Sequence, residues 1–295
     1  MTRVLKIVYL FNKNPIMTHE LGTCLWFDQK AKEAFLFYKD AFGDVELLSE
    51  NPMAVVYKIY GRRMMHLNGG PGFSINPSIS FFISAENQEE IETLWTKLSK
   101  EGNVLMPLNK YPWSEQYGWC SDKYGVNWQL MLNLQSSCKI MPHMMFVGNN
   151  AGKANEAIDF YTSMFANSKT IDISRYDEGE PDVKGYIKYS QFELQDQPFG
   201  AMDSSANHQF NFSEAVSFII TVDTQEEIDH YWNSLLEGGS AGKCGWIKDR
   251  YGVSWQVVPS ILGKLMTNPE TAPKATYAFL QMSKFIIADL ENAVK

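Results

Sequence analysis

The sequence predicts an α+β fold built from two homologous halves, each running strand–helix–strand–strand–strand twice. Two observations carry this. An octapeptide, Asp122-Lys-Tyr-Gly-Val-Asn-Trp-Gln129, returns as Asp249-Arg-Tyr-Gly-Val-Ser-Trp-Gln256. Other landmarks recur in the same order: Ala34-Phe-Leu-Phe-Tyr38 with Ala157-Ile-Asp-Phe-Tyr161, Phe42 with Phe165, Ser80-Phe81 with Ser217-Phe218, Gln88-Glu-Glu-Ile91 with Gln225-Glu-Glu-Ile228, and Trp95 with Trp232. The order is kept while the spacing drifts. That is how duplicated domains with loop insertions behave, and the 295 residues leave room for two.

In the first half, Leu21–Phe27 reads as a strand. Over Lys30–Ala41, apolar residues recur three to four apart (Ala31, Ala34, Phe35, Tyr38, Ala41), which predicts a helix that Gly43 ends. Val45–Ser49, Ala54–Tyr60 and Arg63–Leu67 are short strands, with a hairpin turn at Gly61-Arg62. Asn68-Gly-Gly-Pro-Gly72 breaks the pattern. Ser78–Ser84, a helix over Gln88–Lys100, and strands Asn103–Leu108, Gln116–Ser121 and Val126–Leu132 follow. The second half gives His143–Val147, a helix Ala154–Phe165, Ile171–Arg175, Gly185–Leu194, Phe199–Met202, Ala215–Val222, a helix Gln225–Leu236 and Val253–Val258, with a truncated hairpin before the last strand. Lys274–Val294 reads as one amphipathic helix with Tyr277, Leu280, Phe285 and Leu290 apolar. The expected divisions are an extension over 1–16, domains over 17–136 and 137–262, and a helical tail over 263–295.

Composition narrows the function classes. A net charge of −8 gives no electrostatic reason to expect nucleic acid. No apolar run approaches the roughly 20 residues that span a bilayer, and Val4–Phe11 is not followed by a cleavage site. Cys24, Cys120, Cys138 and Cys244 form no Cys-x-x-Cys pair and read as free thiols in a reducing cytoplasm. No Gly-x-Gly-x-x-Gly follows a strand, so no nucleotide cofactor or bound methyl donor is expected. Asn68-Gly-Gly-Pro-Gly72 precedes a strand, not a helix, and so is not a phosphate cradle. Five histidines assemble no specific Ser-His-Asp set.

With these elements in hand, Leu25-Trp-Phe-Asp28, the helix ending Phe37-Tyr38, Leu67-Asn-Gly-Gly-Pro71 and the run Gly245–Gln256 resemble the PhnB-like branch of the vicinal oxygen chelate superfamily. This branch is also labelled demethylubiquinone methyltransferase-like, and the superfamily includes glyoxalase, bleomycin-resistance and extradiol dioxygenase proteins. The resemblance covers about residues 18–262. It implies two tandem glyoxalase-like domains of paired βαβββ modules, each pair curling a sheet around a cleft. The chain would then be an intrachain pseudo-dimer that mimics, and could itself form, a homodimer.

The superfamily places a divalent metal in the cleft, on ligands from the first and last strands of the modules. Here the last-strand positions are Gln129 and Gln256, neutral amides where metal-binding relatives have glutamate. An amide oxygen is a poorer ligand than a carboxylate or imidazole. The best metal set is His143, Asp203 and Gln256 in the second half. In the first half the matching neighbourhoods give Cys24, His66 or Asn68, Ser80 and Gln129. Alternation along the last strand sets Trp128 and Leu130 on a helix-facing side and Asn127, Gln129 and Met131 on the other. Cys24, His66, Asn68, Ser80, Gln129, Ser217, Trp246 and Gln256 are thus the expected cleft residues. Three readings follow: a protein binding a small organic molecule, a metal-dependent lyase, isomerase or dioxygenase, and a structural paralogue with filled clefts. His143 and His66 also have a plain structural reading as strand histidines satisfied by hydrogen bonds.

Overall fold

The structure is a computed structural model that describes residues 20–133 and 138–295. The expected 1–16 extension and the boundary at 136/137 lie outside the described residues. Four βαβββ modules are present. The first is β1 (Leu21–Phe27), α1 (Ala31–Phe42), β2 (Val45–Glu50), β3 (Ala54–Ile59) and β4 (Arg62–Asn68). The second is β5 (Ile79–Ala85), α2 (Gln88–Ser99), β6 (Asn103–Tyr111), β7 (Ser114–Ser121) and β8 (Asn127–Leu132). The third is β9 (Ile140–Phe146), α3 (Ala154–Met164), β10 (Lys169–Arg175), β11 (Ile187–Leu194) and β12 (Gln197–Asp203). The fourth is β13 (Val216–Val222), α4 (Gln225–Leu236), β14 (Ser240–Ala241), β15 (Trp246–Lys248) and β16 (Ser254–Pro259).

The modules pair across the sequence halves rather than within them. One eight-stranded sheet runs β14-β15-β16-β13-β1-β4-β3-β2, joining the fourth module to the first. The other runs β10-β11-β12-β9-β5-β8-β7-β6, joining the third to the second. In each module the first strand pairs in parallel with its own last strand, which leaves its other edge open. A first strand from the other half fills that edge antiparallel: β1 with β13, and β5 with β9. The compact units follow the sheets. Among the described residues, one takes 20–39, Asp44–Ser74 and Ser213–Lys295, and the other takes Asp40–Gly43 and Ile75–Phe212. The sequence repeats and the folded units therefore do not coincide, and a cleft assembled from one repeat alone is corrected by this exchange.

The repeated octapeptide is a closing turn held by its aspartate. Asp122 Oδ1 accepts the backbone N–H of Tyr124 (2.8 Å) and of Val126 (3.1 Å), and Oδ2 accepts the Trp128 indole N–H at 2.7 Å. Asp249 repeats this on Tyr251 (2.9 Å), Val253 (3.0 Å) and Trp255 (2.9 Å). Gly125 and Gly252 carry φ of 86° and 87°, the left-handed conformation that excludes most side chains. Both tryptophans are fully buried beside Phe81 and Phe218. Burying an indole while pairing its N–H is what makes this turn rigid.

Helix starts follow two rules. α2 and α4 are capped locally: Asn87 accepts Glu90 N–H, and Thr224 with Glu227 forms a capping box. α1 and α3 are capped from the sheet. Asn68, the last residue of β4, accepts Ala31 N–H at 2.9 Å. Asp203, the last residue of β12, accepts Gly152 N–H (2.8 Å) and Ala154 N–H (3.1 Å) on Oδ1 and Ile187 N–H (2.9 Å) on Oδ2.

The tail is three helices, α5 (Ile261–Thr267), α6 (Ala272–Gln281) and α7 (Ile287–Val294), the last two standing where one helix was expected over Lys274–Val294. Gln225 on α4 explains part of the break, since its Oε1 accepts Ile287 N–H and its Nε2 donates to the Phe285 carbonyl. Phe279, Phe285 and Leu290 are buried, but Tyr277 is 75% exposed and does not belong to the packed face. Phe285 packs over Gly245, where a Cβ would lie 2.5 Å from its ring. No helix of the described residues is long and apolar enough to cross a membrane.

Candidate functional site

Strand alternation gives each sheet one side facing its helices and one side free of them. On the free side the two sheets carry the same frame at equivalent positions. In the first unit Ser217 on β13 stands across from Cys24 on β1, and in the second Ser80 on β5 stands across from His143 on β9. Gln256 Nε2 donates to Ser217 Oγ at 2.9 Å, and Gln129 Nε2 donates to Ser80 Oγ at 2.8 Å. Trp246 stands across from Gln256, and Trp119 across from Gln129. Sequence reasoning placed the glutamines, both serines, Cys24 and Trp246 on this side, and the structure brings them there.

The first unit's frame is closed. Cys24 hydrogen-bonds to the side chains of Gln256 and Ser217, and burial pushes its thiol up to about 12 despite them. A thiol held protonated is neither nucleophile nor ready metal ligand. Met65 stands beside it on β4. At the rim, Trp246 and Trp26 meet edge to face at 6.1 Å, and Phe73 meets Trp26 at 5.1 Å. The glycine-rich break serves this rim. A Cβ at Gly69 would lie 2.0 Å from the Trp26 ring, and the Gly70 carbonyl accepts the Trp26 indole N–H at 2.6 Å.

The second unit's frame is different. Gln129 Oε1 accepts the Tyr117 hydroxyl at 2.6 Å. His143 is 2% exposed, yet neither ring nitrogen has a partner. Its ring is stacked on Tyr189 (5.8 Å) and lies 6.3 Å from Phe82, and Phe82 and Tyr189 are 6.0 Å apart. β5 and β11 are three strands apart, about 14 Å in a flat sheet, so the sheet curls to bring these rings together. Around them Met141, Met145, Met202, Met106 and Met131 form one apolar cluster with Phe82, Tyr117 and Trp119. Gly200, across from His143 on β12, makes room for the imidazole, because a Cβ there would lie 2.1 Å from its ring. Burial lowers His143 to about 4, so it is neutral near pH 7. The Trp119 indole N–H is also buried and unpartnered.

Three expected residues change role. His66 faces α1: its Nδ1 pairs with the Ala31 carbonyl at 2.9 Å and its Nε2 with the Tyr57 hydroxyl at 2.8 Å. Burial holds it down to about 3, making it a satisfied core histidine. Asn68 accepts Ala31 N–H and donates its Nδ2 to the Pro52 carbonyl at 3.0 Å, and Asp203 spends its carboxylate on the backbone N–H groups described above. The metal set His143, Asp203 and Gln256 is not one coordination sphere. His143 and Asp203 point to opposite sides of their sheet, and Gln256 is engaged with Ser217 in the other unit. Among the described residues no three His, Cys, Asp or Glu side chains are placed to hold a metal ion. The free side of the second unit offers one imidazole, a hydroxyl and an amide already bonded to Tyr117. Without a carboxylate this donor set does not fit a divalent cation.

Of this cluster only Met131 was placed on the Gln129 side from sequence; Tyr117, Phe82, Tyr189, Trp119, Gly200 and the other methionines were not singled out. A usable signal was present: Met141, His143 and Met145 alternate on one strand and so share one side.

The family model described as 3-demethylubiquinone-9 3-methyltransferase matches this chain twice, over residues 19–131 and 138–258. Among curated proteins none matches. A PhnB protein from Bacillus cereus is 35% identical over 38% of this chain and 98% of its own, with a TM-score of 0.36. Glyoxalase I from Zea mays is 12% identical, covering 83% of this chain and 94% of its own, with a TM-score of 0.57, a likeness of fold. With both βαβββ pairs matched, the chain belongs to the PhnB-like 3-demethylubiquinone-9 3-methyltransferase family and has the two-domain vicinal oxygen chelate fold.

Proposed function

We propose that the protein binds a small organic molecule on the helix-free side of the second unit's sheet. The observation that supports this is His143, a buried imidazole with both nitrogens unpaired amid aromatic rings and methionines. A buried polar group left without partners costs about 1–3 kcal/mol and calls for a reason. An apolar concave surface with a few inward polar groups is the usual form of a ligand site. Methionine side chains add adaptability, because they repack around different shapes.

Methyl transfer, which the family's name suggests, has less support. None of the strand-to-helix turns carries the glycine fingerprint that holds a nucleotide-like methyl donor. General-base catalysis by His143 is disfavoured as well, since a base held near pH 4 accepts protons weakly at neutrality. Binding without turnover fits these residues best. The test is titration of the purified protein with a panel of aromatic metabolites and antibiotics, followed by calorimetry and by tryptophan fluorescence. Saturable binding that responds to substitution on the His143 side supports the proposal. A panel that produces no saturable signal refutes it.

A further inference from the structure

The donors around His143 lack the carboxylate that a divalent cation needs, but they suit a softer ion of lower charge. We propose that His143, with the thioethers of Met145 and Met202, forms a site for a soft monovalent metal ion of the Cu(I) class. Three features lead there.

The first is placement. Alternation along β9 puts Met141, His143 and Met145 on one side. Met202 on β12 stands across from Met145 and is therefore diagonal to His143. Strand spacing and rise put the Cα atoms of Met145 and Met202 about 7 Å and about 8 Å from that of His143. Long, flexible methionine side chains span such gaps. The imidazole leans toward β12, because a Cβ at Gly200 would lie 2.8 Å from its Nε2. Met202 also packs on the apolar cluster that holds Met141 and Met145.

The second is the donor set. Thioethers are soft ligands that suit Cu(I), and imidazole suits copper as well. Both imidazole nitrogens are unpaired, so neither must give up a hydrogen bond to take a metal. Both are also closed off from solvent, and a bare ion needs no open cavity. Bonds of about 2.0 Å to nitrogen and about 2.3 Å to sulfur set trigonal donors about 3.7 Å apart, which is ordinary van der Waals contact. With neutral donors the charge is buried uncompensated, which favours one charge over two.

The third is the comparison that the duplication supplies. Cys24 is the first unit's equivalent of His143, since each stands across from its frame serine. The positions equivalent to Met141, Met145 and Met202 are Gly22, Trp26 and Leu67. The frame therefore folds without any of these thioethers. Core filling accounts for a methionine at one position, but not for three that flank the unpaired imidazole and have no counterpart beside the satisfied thiol. The ion takes the β9–β12 end of the side. Met131 and Tyr117, two and three strands away, remain for an organic molecule, so the inference goes beyond that reading without replacing it.

The experiment titrates Ag(I), a redox-inert substitute for Cu(I), into the whole chain carrying isotopically labelled methionine methyl groups. Cys138→Ser is the background, because it removes the one thiol that is not buried. At one equivalent, NMR should show the Met145 and Met202 methyl signals and the His143 ring nitrogen signals moving, with Met64 on the helix-facing side unchanged. In competition with free methionine, His143→Phe should weaken Ag(I) at least about a hundredfold and Met202→Leu at least about tenfold. The double variant Met145→Leu, Met202→Leu serves if the histidine variant does not fold. Absence of binding, Ag(I) held equally by His143→Phe, Ag(I) that moves no methionine signal, or Zn(II) bound as tightly as Ag(I) each overturns the proposal. The organic panel is run on metal-free protein, so the two readings stand or fall separately.

Discussion

The free sides of the two sheets share a frame and differ at its centre. In one, Cys24, Ser217 and Gln256 bond to one another beside Met65. In the other, Ser80 and Gln129 keep the same bond, but the cysteine is replaced by His143 and the methionine by Gly200. The glutamine–serine pair is therefore architecture common to both units, present where the centre is satisfied and where it is not. What differs is the polar group at the centre, paired in one unit and unpaired in the other. One centre is closed, and the other carries an imidazole that its surroundings do not satisfy.

If the shared parts are architectural, breaking them should cost the same in both units. Asp122→Ala and Asp249→Ala each strand two backbone N–H groups and a buried indole N–H. Each should lose about 3–4 kcal/mol in urea unfolding, at 1–3 kcal/mol for an unpaired buried donor with partial relaxation. A large loss in one copy and none in the other would break the equivalence.

Acid should separate buried histidines from the rest of the molecule. His143 falls from 6.5 to about 4 and His66 to about 3, in both cases through burial. The unfolded chain then binds protons more readily than the folded one. The stability each histidine contributes is complete above about pH 6.5 and is lost as pH falls toward its folded value. Each is worth on the order of 3 kcal/mol over that window. Unfolding free energy measured from pH 7 to pH 4.5 should decline steeply, and His143→Phe should flatten part of the slope. An unchanged slope in that variant would show that His143 is not held neutral.

Gly200→Ala tests the local difference. Its Cβ would fall 2.1 Å from the His143 ring, so the ring must move, at a cost of about 1–3 kcal/mol. Met65→Leu, a volume-conserving change at the equivalent position, should cost less than about 1.5 kcal/mol. Urea midpoints of the two variants decide it, and equal costs would mean that Gly200 has no special relation to the imidazole.

Much of this was legible in the sequence, for identifiable reasons. Helices followed from periodicity because each buries one face, while the central strands β5, β9 and β16 are buried along their whole length and were legible as short runs between turns. The octapeptide announced its turn through Gly125 and its core through Trp128. The partnering of modules was not legible, because a strand edge carries no mark of which half fills it, and the ligand set that mixed His143 with Gln256 failed for that reason. Asn68 and Asp203 resembled site residues since they are polar and end strands. Their use as caps for α1 and α3 depends on tertiary contacts that local patterns do not show. His66 and His143 are both strand histidines beside methionines. Only the partners at their nitrogens, Tyr57 and Ala31 for one and none for the other, tell them apart.

The smallest effect makes the most pointed comparison. His143→Phe removes two unpaired polar atoms from an apolar cluster and keeps a flat ring, so at pH 7 it should leave stability unchanged or raise it by about 1 kcal/mol. His66→Phe removes two satisfied hydrogen bonds and strands the Tyr57 hydroxyl, so it should lose about 2 kcal/mol. Thermal and urea unfolding of both proteins, free of added ligand, give the comparison. A loss at His143 as large as that at His66 would mean that the imidazole is paired in solution, by water or by a retained molecule. That outcome would remove the ground for treating the two histidines differently, and with it the reason for placing binding in one unit rather than in both.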